Sequence, residues 1–126
     1  MKLVQTDRAP SAIGPYSQAV VANGIVYTSG QIALTPEGTD ELLGEDVVVQ
    51  AVRVMKNLEA VLVEAGSSLD NVLKTTIFLE DMDSFALVNE VYAEAFGSHK
   101  PARATVAVKT LPKNALVEID AIALVK

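Results

Sequence analysis

YSQAVVANGIVYTSGQI, residues 16–32, sets the frame for the rest of the chain. Tyr16 to Val21 and Ile25 to Ile32 are rich in β-branched and aromatic residues, as paired strands are. Between them stands Ala22-Asn23-Gly24, and Asn-Gly supplies the positive φ values that a tight hairpin turn needs. Gly14-Pro15 marks the entry. Ser29-Gly30 interrupts the second strand in the manner of a β-bulge.

Working outward, LTPEGTDELLGED (residues 34–46) carries Pro36, Gly38 and Gly44 and reads as a loop. DVVVQAVRVMKNLEAVLVEAG (residues 46–66) is helical. Val48, Ala51, Val52, Met55, Leu58, Leu62 and Ala65 recur at three- and four-residue spacings, and Val47, Val54 and Val61 widen the stripe. Asp46 is the expected N-cap and Gly66 the expected stop. NVLKTTIFLE (residues 71–80) becomes apolar on both faces and is expected to be a central strand. A second helix is predicted from Ser84 to Phe96, with Phe85, Val88, Val91, Tyr92, Ala95 and Phe96 inward and Gly97 ending it.

Two strands close the chain. In KPARATVAVKTLP (residues 100–112), Ala102, Ala104, Val106 and Val108 share one face, and Arg103, Thr105, Ala107 and Lys109 the other. In ALVEIDAIALV (residues 115–125), Val117, Ile119, Ala121, Ala123 and Val125 share one face, and Glu118 and Asp120 the other. The predicted order is β-β-α-β-α-β-β in a single α+β domain over 1–126. Both helices should cover one face of a mixed sheet. The other face would then be bare in a monomer, and such sheets bury it by closing on partner sheets. A chain that is 50% hydrophobic carries more apolar surface than so small a core needs, so an oligomer is expected.

Composition narrows the chemistry. A net charge of −6 with scattered Lys and Arg opposes nucleic-acid binding. No apolar run of membrane-spanning length or signal-peptide core is present, and the expected location is the cytoplasm. With no cysteine there is no thiolate nucleophile, disulfide or cysteine metal site. His99, the lone histidine, is expected to be a solvated loop residue, and one histidine makes no metal cluster. Gly66-Ser67-Ser68 follows a helix, so it is no phosphate loop. What remains is Arg103, Glu118, Tyr16, Ser29 and Gly30. Residue patterns alone leave Arg103 as either a surface ion-pair donor or an anion anchor among small neighbours. They leave Glu118 on a wet face, Tyr16 in packing and Ser29-Gly30 as a bulge.

PARATVAVKTLPKNALVEIDAIA (residues 101–123) resembles the C-terminal signature of the YjgF/UK114 family, also called the RidA or reactive-intermediate-deaminase family. The pattern is small-Arg-small, an alternating strand, Leu-Pro, a short loop, then apolar-Glu-Ile. AIGPYSQAV, NGIVYTSGQIAL, the block from Gln50 to Met82 and FALVNEVYAEAF resemble it too, in the family's order, so the likeness spans essentially the whole chain. The resemblance implies a chorismate-mutase-like fold, a homotrimer and clefts between subunits. It implies cofactor-free and metal-free deamination of 2-imino acids, 2-iminobutanoate and 2-iminopropanoate, to 2-keto acids. On this resemblance Arg103 holds the substrate carboxylate and Glu118 positions or activates water. Tyr16, Ser29, Gly30, the Thr105 backbone and Asn89 line the pocket. Many relatives carry cysteine where this chain has Thr105. Three other readings accompany it: a non-catalytic metabolite-binding trimer, a ribonuclease or translation inhibitor, and a chorismate mutase. The acidic balance opposes the ribonuclease, and shared architecture alone does not establish a mutase.

Overall fold

Asn23 and Gly24 adopt φ of 52° and 75°, and the hairpin they close pairs β2 (Ala19–Ala22) with β3 (Ile25–Thr28). The computed structural model describes residues 1–126. The other strands are β1 (Lys2–Val4), β4 (Val72–Leu79), β5 (Ala102–Ala107) and β6 (Val117–Leu124). Together they form one sheet in the order β1-β2-β3-β6-β4-β5. Only β4 and β5 run parallel; every other pairing is antiparallel. The sheet is therefore mixed, and β4 lies inside it as its two-faced apolar sequence predicts. The sequence reading missed β1. Three residues, two of them exposed, are too short to show a period, and β1 exists because β2 offers it an edge.

Helix α1 (Val47–Glu64) begins where Asp46 accepts a hydrogen bond from Val49 N at 3.0 Å. Such a cap contributes about 1 kcal/mol. The helix is followed by Gly66 at φ 83°, a conformation that favours glycine. Its stripe is rotated from the predicted one. Val47, Val54 and Val61 are buried, whereas Val48 and Val52 are 36% and 40% exposed. Valines on both sides of the helix left periodicity without a sharp maximum. Helix α2 (Phe85–Phe96) buries Val88, Tyr92 and Phe96 and ends at Gly97, φ 64°. Both helices cover one face of the sheet, where Leu58 and Leu62 of α1 and Val88 and Phe96 of α2 share one core with Ile77, Leu79 and Ile119 of the strands.

Two polar residues on the buried side of α1 hold loops. Gln50 donates to the carbonyls of Leu43 (3.2 Å) and Glu45 (3.0 Å) and accepts from Leu116 N (2.9 Å). Asn57 donates to the carbonyls of Ile32 (3.2 Å) and Leu34 (2.9 Å). His99 is not solvated as expected. Its Nε2 lies 2.7 Å from the Val72 carbonyl, and its ring packs against Phe96, which ties the end of α2 to the start of β4.

The opposite face of the sheet is bare, apolar over most of its strands but polar at Lys74, Thr76, Glu118 and Asp120, where β4 meets β6. By register it carries Leu3, Val20, Tyr27, Ile122, Phe78 and Val106, with Leu3 63% and Tyr27 47% exposed. No helix is long and apolar enough to cross a membrane.

Candidate functional site

The register sorts the predicted site residues into two groups on opposite sides of the sheet. Arg103 pairs with Thr75, and Thr75 with Ala121, on the helix-covered face. Glu118 pairs with Phe78, and Phe78 with Val106, on the bare face. Strand β4 separates β5 from β6, so the two residues are also two strand spacings apart, roughly 10 Å. Glu118 is therefore not an intrachain ion-pair partner of Arg103.

The first group lies at the open edge of the sheet. Arg103 donates Nη1 to Asn89 Oδ1 at 2.7 Å. Its guanidinium sits 4.9 Å from the Tyr92 ring centroid and 5.5 Å from that of Phe85. Cation–π contacts of this kind contribute on the order of 0.5–1 kcal/mol at exposed sites. Helix α2 supplies all three partners at four- and three-residue spacing, so one helical face grips one arginine. Tyr92 is fixed in turn by Thr75, hydroxyl to hydroxyl at 2.7 Å. Burial raises the Tyr92 pKa, while the Thr75 bond and Arg103 oppose the shift. No carboxylate stands within ion-pairing reach of Arg103; its one polar partner is an amide. Thr105, two residues on, faces the same way, and its Oγ1 is buried without a hydrogen-bond partner.

The second group surrounds a cavity of about 370 Å³. Tyr16, Ser29, Gly30 and Glu118 all line it. Gln31 bridges to Ile119, N to O at 2.9 Å and the reverse at 3.2 Å. The register there is one residue out of step with the rest of the β3–β6 ladder, so Ser29-Gly30 is a true bulge. The bulge makes the site. A Cβ on Gly30 would overlap the Glu118 carboxylate, so glycine alone lets Glu118 lie there. Ser29 donates Oγ to the Ser17 carbonyl at 2.6 Å and N to the Gln18 carbonyl at 2.9 Å, which holds the two strands together across the irregularity. The Ser29 hydroxyl is thus spent on the backbone.

Glu118 is half-buried, and burial pushes its pKa up, with the Asp120 carboxylate adding to the rise. Asp120, two residues along the same face, is raised by burial too, against hydrogen bonds from Thr76 and the nearby Lys74. A carboxyl so placed can exchange a proton nearer neutrality than a solvated one. No three His, Cys, Asp or Glu side chains converge to hold a metal.

Sequence reasoning missed Gln18. It is buried, accepts from Thr6 N (2.7 Å) and donates to the carbonyls of Pro10 (2.8 Å), Thr6 (3.1 Å) and Ala9 (3.3 Å). It thereby folds the N-terminal segment over the cavity. A glutamine in a strand on the way to a turn carries no local signal of such a role.

A mixed sheet with two helices on one face, an arginine at its open edge and a glutamate over a glycine bulge defines an α+β domain of the Rid type. The family model described as Endoribonuclease L-PSP matches residues 6–125. The chain belongs to this family, the YjgF/RidA family. It is 53% identical to a RutC family protein of Synechocystis, over 98% of this chain and 95% of that one. It is 45% identical to the chloroplastic Reactive Intermediate Deaminase A of Arabidopsis thaliana, over 97% of this chain and 65% of that one. The crystal structure of E. coli TdcF with bound serine superposes with a TM-score of 0.91 at 42% identity, covering 98% of each chain.

Proposed function

We propose that the protein hydrolyses 2-imino acids, of the 2-iminobutanoate and 2-iminopropanoate class, to 2-keto acids and ammonia at sites shared between the subunits of a homotrimer. The observation that carries this reading is the separation of Arg103 from Glu118. An arginine without a carboxylate partner on one face, and a half-buried glutamate in a cavity on the other, are two halves of one site. A second copy of the chain completes it. The bare apolar face supports the same assembly, because burying it removes the surface that a monomer leaves wet.

In the assembled site the Arg103 fork holds the substrate carboxylate. Asn89 and the aromatic rings of Phe85 and Tyr92 keep the guanidinium in place. Bidentate charge-assisted bonds contribute on the order of 1.5–3 kcal/mol each, and lysine has no planar fork to make them. Glu118 takes a proton from water as its oxygen adds to the imine carbon. It returns that proton to nitrogen, giving a carbinolamine, and then takes the hydroxyl proton and passes it to nitrogen as the C–N bond breaks, the keto C=O forms and ammonia leaves. Holding water and imine together supplies part of the rate. The relative named a reactive intermediate deaminase supports the reaction, and the serine-bound TdcF supports a ligand with an α-carboxylate.

Keto-acid release from imines generated in situ tests the proposal. Arg103→Lys should lower kcat/KM about 10- to 100-fold, roughly 1.4–2.7 kcal/mol. Wild-type turnover by Arg103→Lys would remove Arg103 as the anchor. A protein that binds 2-keto acids but releases none from any imine would instead be a metabolite-binding trimer.

A further inference from the structure

We propose that the cavity at the C-terminal end of α2 is a cationic vestibule for the anionic substrate, in which Lys100 draws the carboxylate of a 2-imino acid toward Arg103; this rests on the deaminase reading. The cavity holds about 400 Å³ and lies between the last turns of α2 and the start of β5. Lys100, His99, Asn89 and Arg103 line it, and none of its 9 lining residues is Asp or Glu. The chain as a whole carries 16 acidic residues against 10 Lys and Arg, so a wall with cations and no carboxylate is a local reversal of sign. The two acids of α2, Glu90 and Glu94, are left outside it, Glu94 in a groove between the two helices.

The segment that carries Lys100 is anchored. His99 Nε2 lies on the Val72 carbonyl at 2.7 Å, and Gly97 at φ 64° turns the chain out of α2. Proline restricts the residue before it to extended backbone, so Pro101 sets where Lys100 leaves the main chain. Lys100 and Arg103 divide the work. Arg103 is gripped by Asn89 and two aromatic rings and offers a fixed fork. Lys100 is exposed and acts as a point charge at a distance. At about 8 Å through water, one unit charge changes the affinity for a monoanion by roughly two- to threefold. Salt screens that gain.

Calorimetric titration of the full chain with 2-oxobutanoate reads the vestibule without catalysis. At about 0.01 M salt, where the Debye length is about 30 Å, Lys100→Gln should bind the anion roughly two- to threefold more weakly than wild type, and Lys100→Glu about fivefold more weakly. Lys100→Arg should match the wild type, because a point charge needs no particular shape. At about 1 M salt, where the Debye length is about 3 Å, all four proteins should converge. A lysine just past a helix C-terminus also offsets the helix dipole. That role alone would lower the melting temperature of Lys100→Gln and leave the salt dependence of binding untouched. Equal affinities of wild type and Lys100→Glu at low salt, a difference that persists at high salt, or no binding of 2-oxobutanoate overturns the proposal. Imine turnover is measured on the same samples, and the Lys100→Glu loss should fall on KM. A salt-dependent difference in binding with no turnover of any imine ends the deaminase reading and leaves the vestibule standing. Turnover with binding that ignores Lys100 ends the vestibule alone.

Discussion

At the scale of single residues, two carboxylates on one strand face set the pH behaviour. Glu118 is raised first by burial and second by Asp120. If it acts as the base, activity falls as pH drops through its raised pKa. Asp120→Asn removes the second cause, so the acid limb of the kcat/KM profile should move to lower pH. An unmoved limb would show that Asp120 does not act on Glu118. Stability has the opposite sense. A carboxyl whose folded pKa is raised favours folding below its unfolded value, and that contribution is lost as pH rises through the folded pKa. Glu118→Gln should therefore melt at the same or a higher temperature at pH 7, with the difference vanishing below the ordinary 4.5. Thr105 adds a third case. Its hydroxyl is buried without a partner, so Thr105→Val should cost no stability and retain most turnover. A loss of 100-fold or more, about 2.7 kcal/mol, with the oligomer intact would assign the hydroxyl a role.

At the scale of elements, the hairpin, both helices and the interior place of β4 were legible because each rests on a local rule. Asn23-Gly24 must turn, Asp46 must cap and Gly66 and Gly97 must stop. What stayed illegible depends on partners distant in sequence. Strand β1 needs β2, and the α1 stripe could not be oriented while valines flanked it on both sides. His99 looked solvated because nothing local points to the Val72 carbonyl. Arg103 and Glu118 were visible as residues, but their separation was not, because it requires knowing that β4 slides between two strands consecutive in sequence. Gln50 and Asn57 were visible only as polar interruptions seven residues apart on an apolar helix. Asn57 holds the cavity-lining segment at Ile32 and Leu34, and Gln50 ties the loop before α1 to the start of β6. Asn57→Ala strands the Ile32 and Leu34 carbonyls, so it should cost about 1–3 kcal/mol of stability. It should also weaken ligand binding at temperatures where the protein is still folded. Denaturant melts and titrations on the same samples check both, and unchanged values in each would show the loop to be held by other contacts.

At the scale of the molecule, the proposed shared site makes a demand that no single chain meets, because the sheet holds Arg103 and Glu118 of one chain on opposite faces. A chain lacking Arg103 keeps an intact Glu118 cavity, and a chain lacking Glu118 keeps an intact arginine fork. Arg103→Ala and Glu118→Gln should each be nearly inactive alone. Unfolded together and refolded as a mixture, they should recover activity, because some sites then draw the arginine from one variant and the glutamate from the other. For a ring of three chains in which each neighbouring pair forms one site, random equimolar mixing restores roughly a quarter of the sites. Keto-acid release from the mixture should approach that fraction of the wild-type rate, and sedimentation equilibrium should give three chains per particle. A site contained in one chain predicts no recovery at any mixing ratio. A catalytically active monomer would also contradict the shared site, since the sheet itself keeps Arg103 and Glu118 of one chain apart.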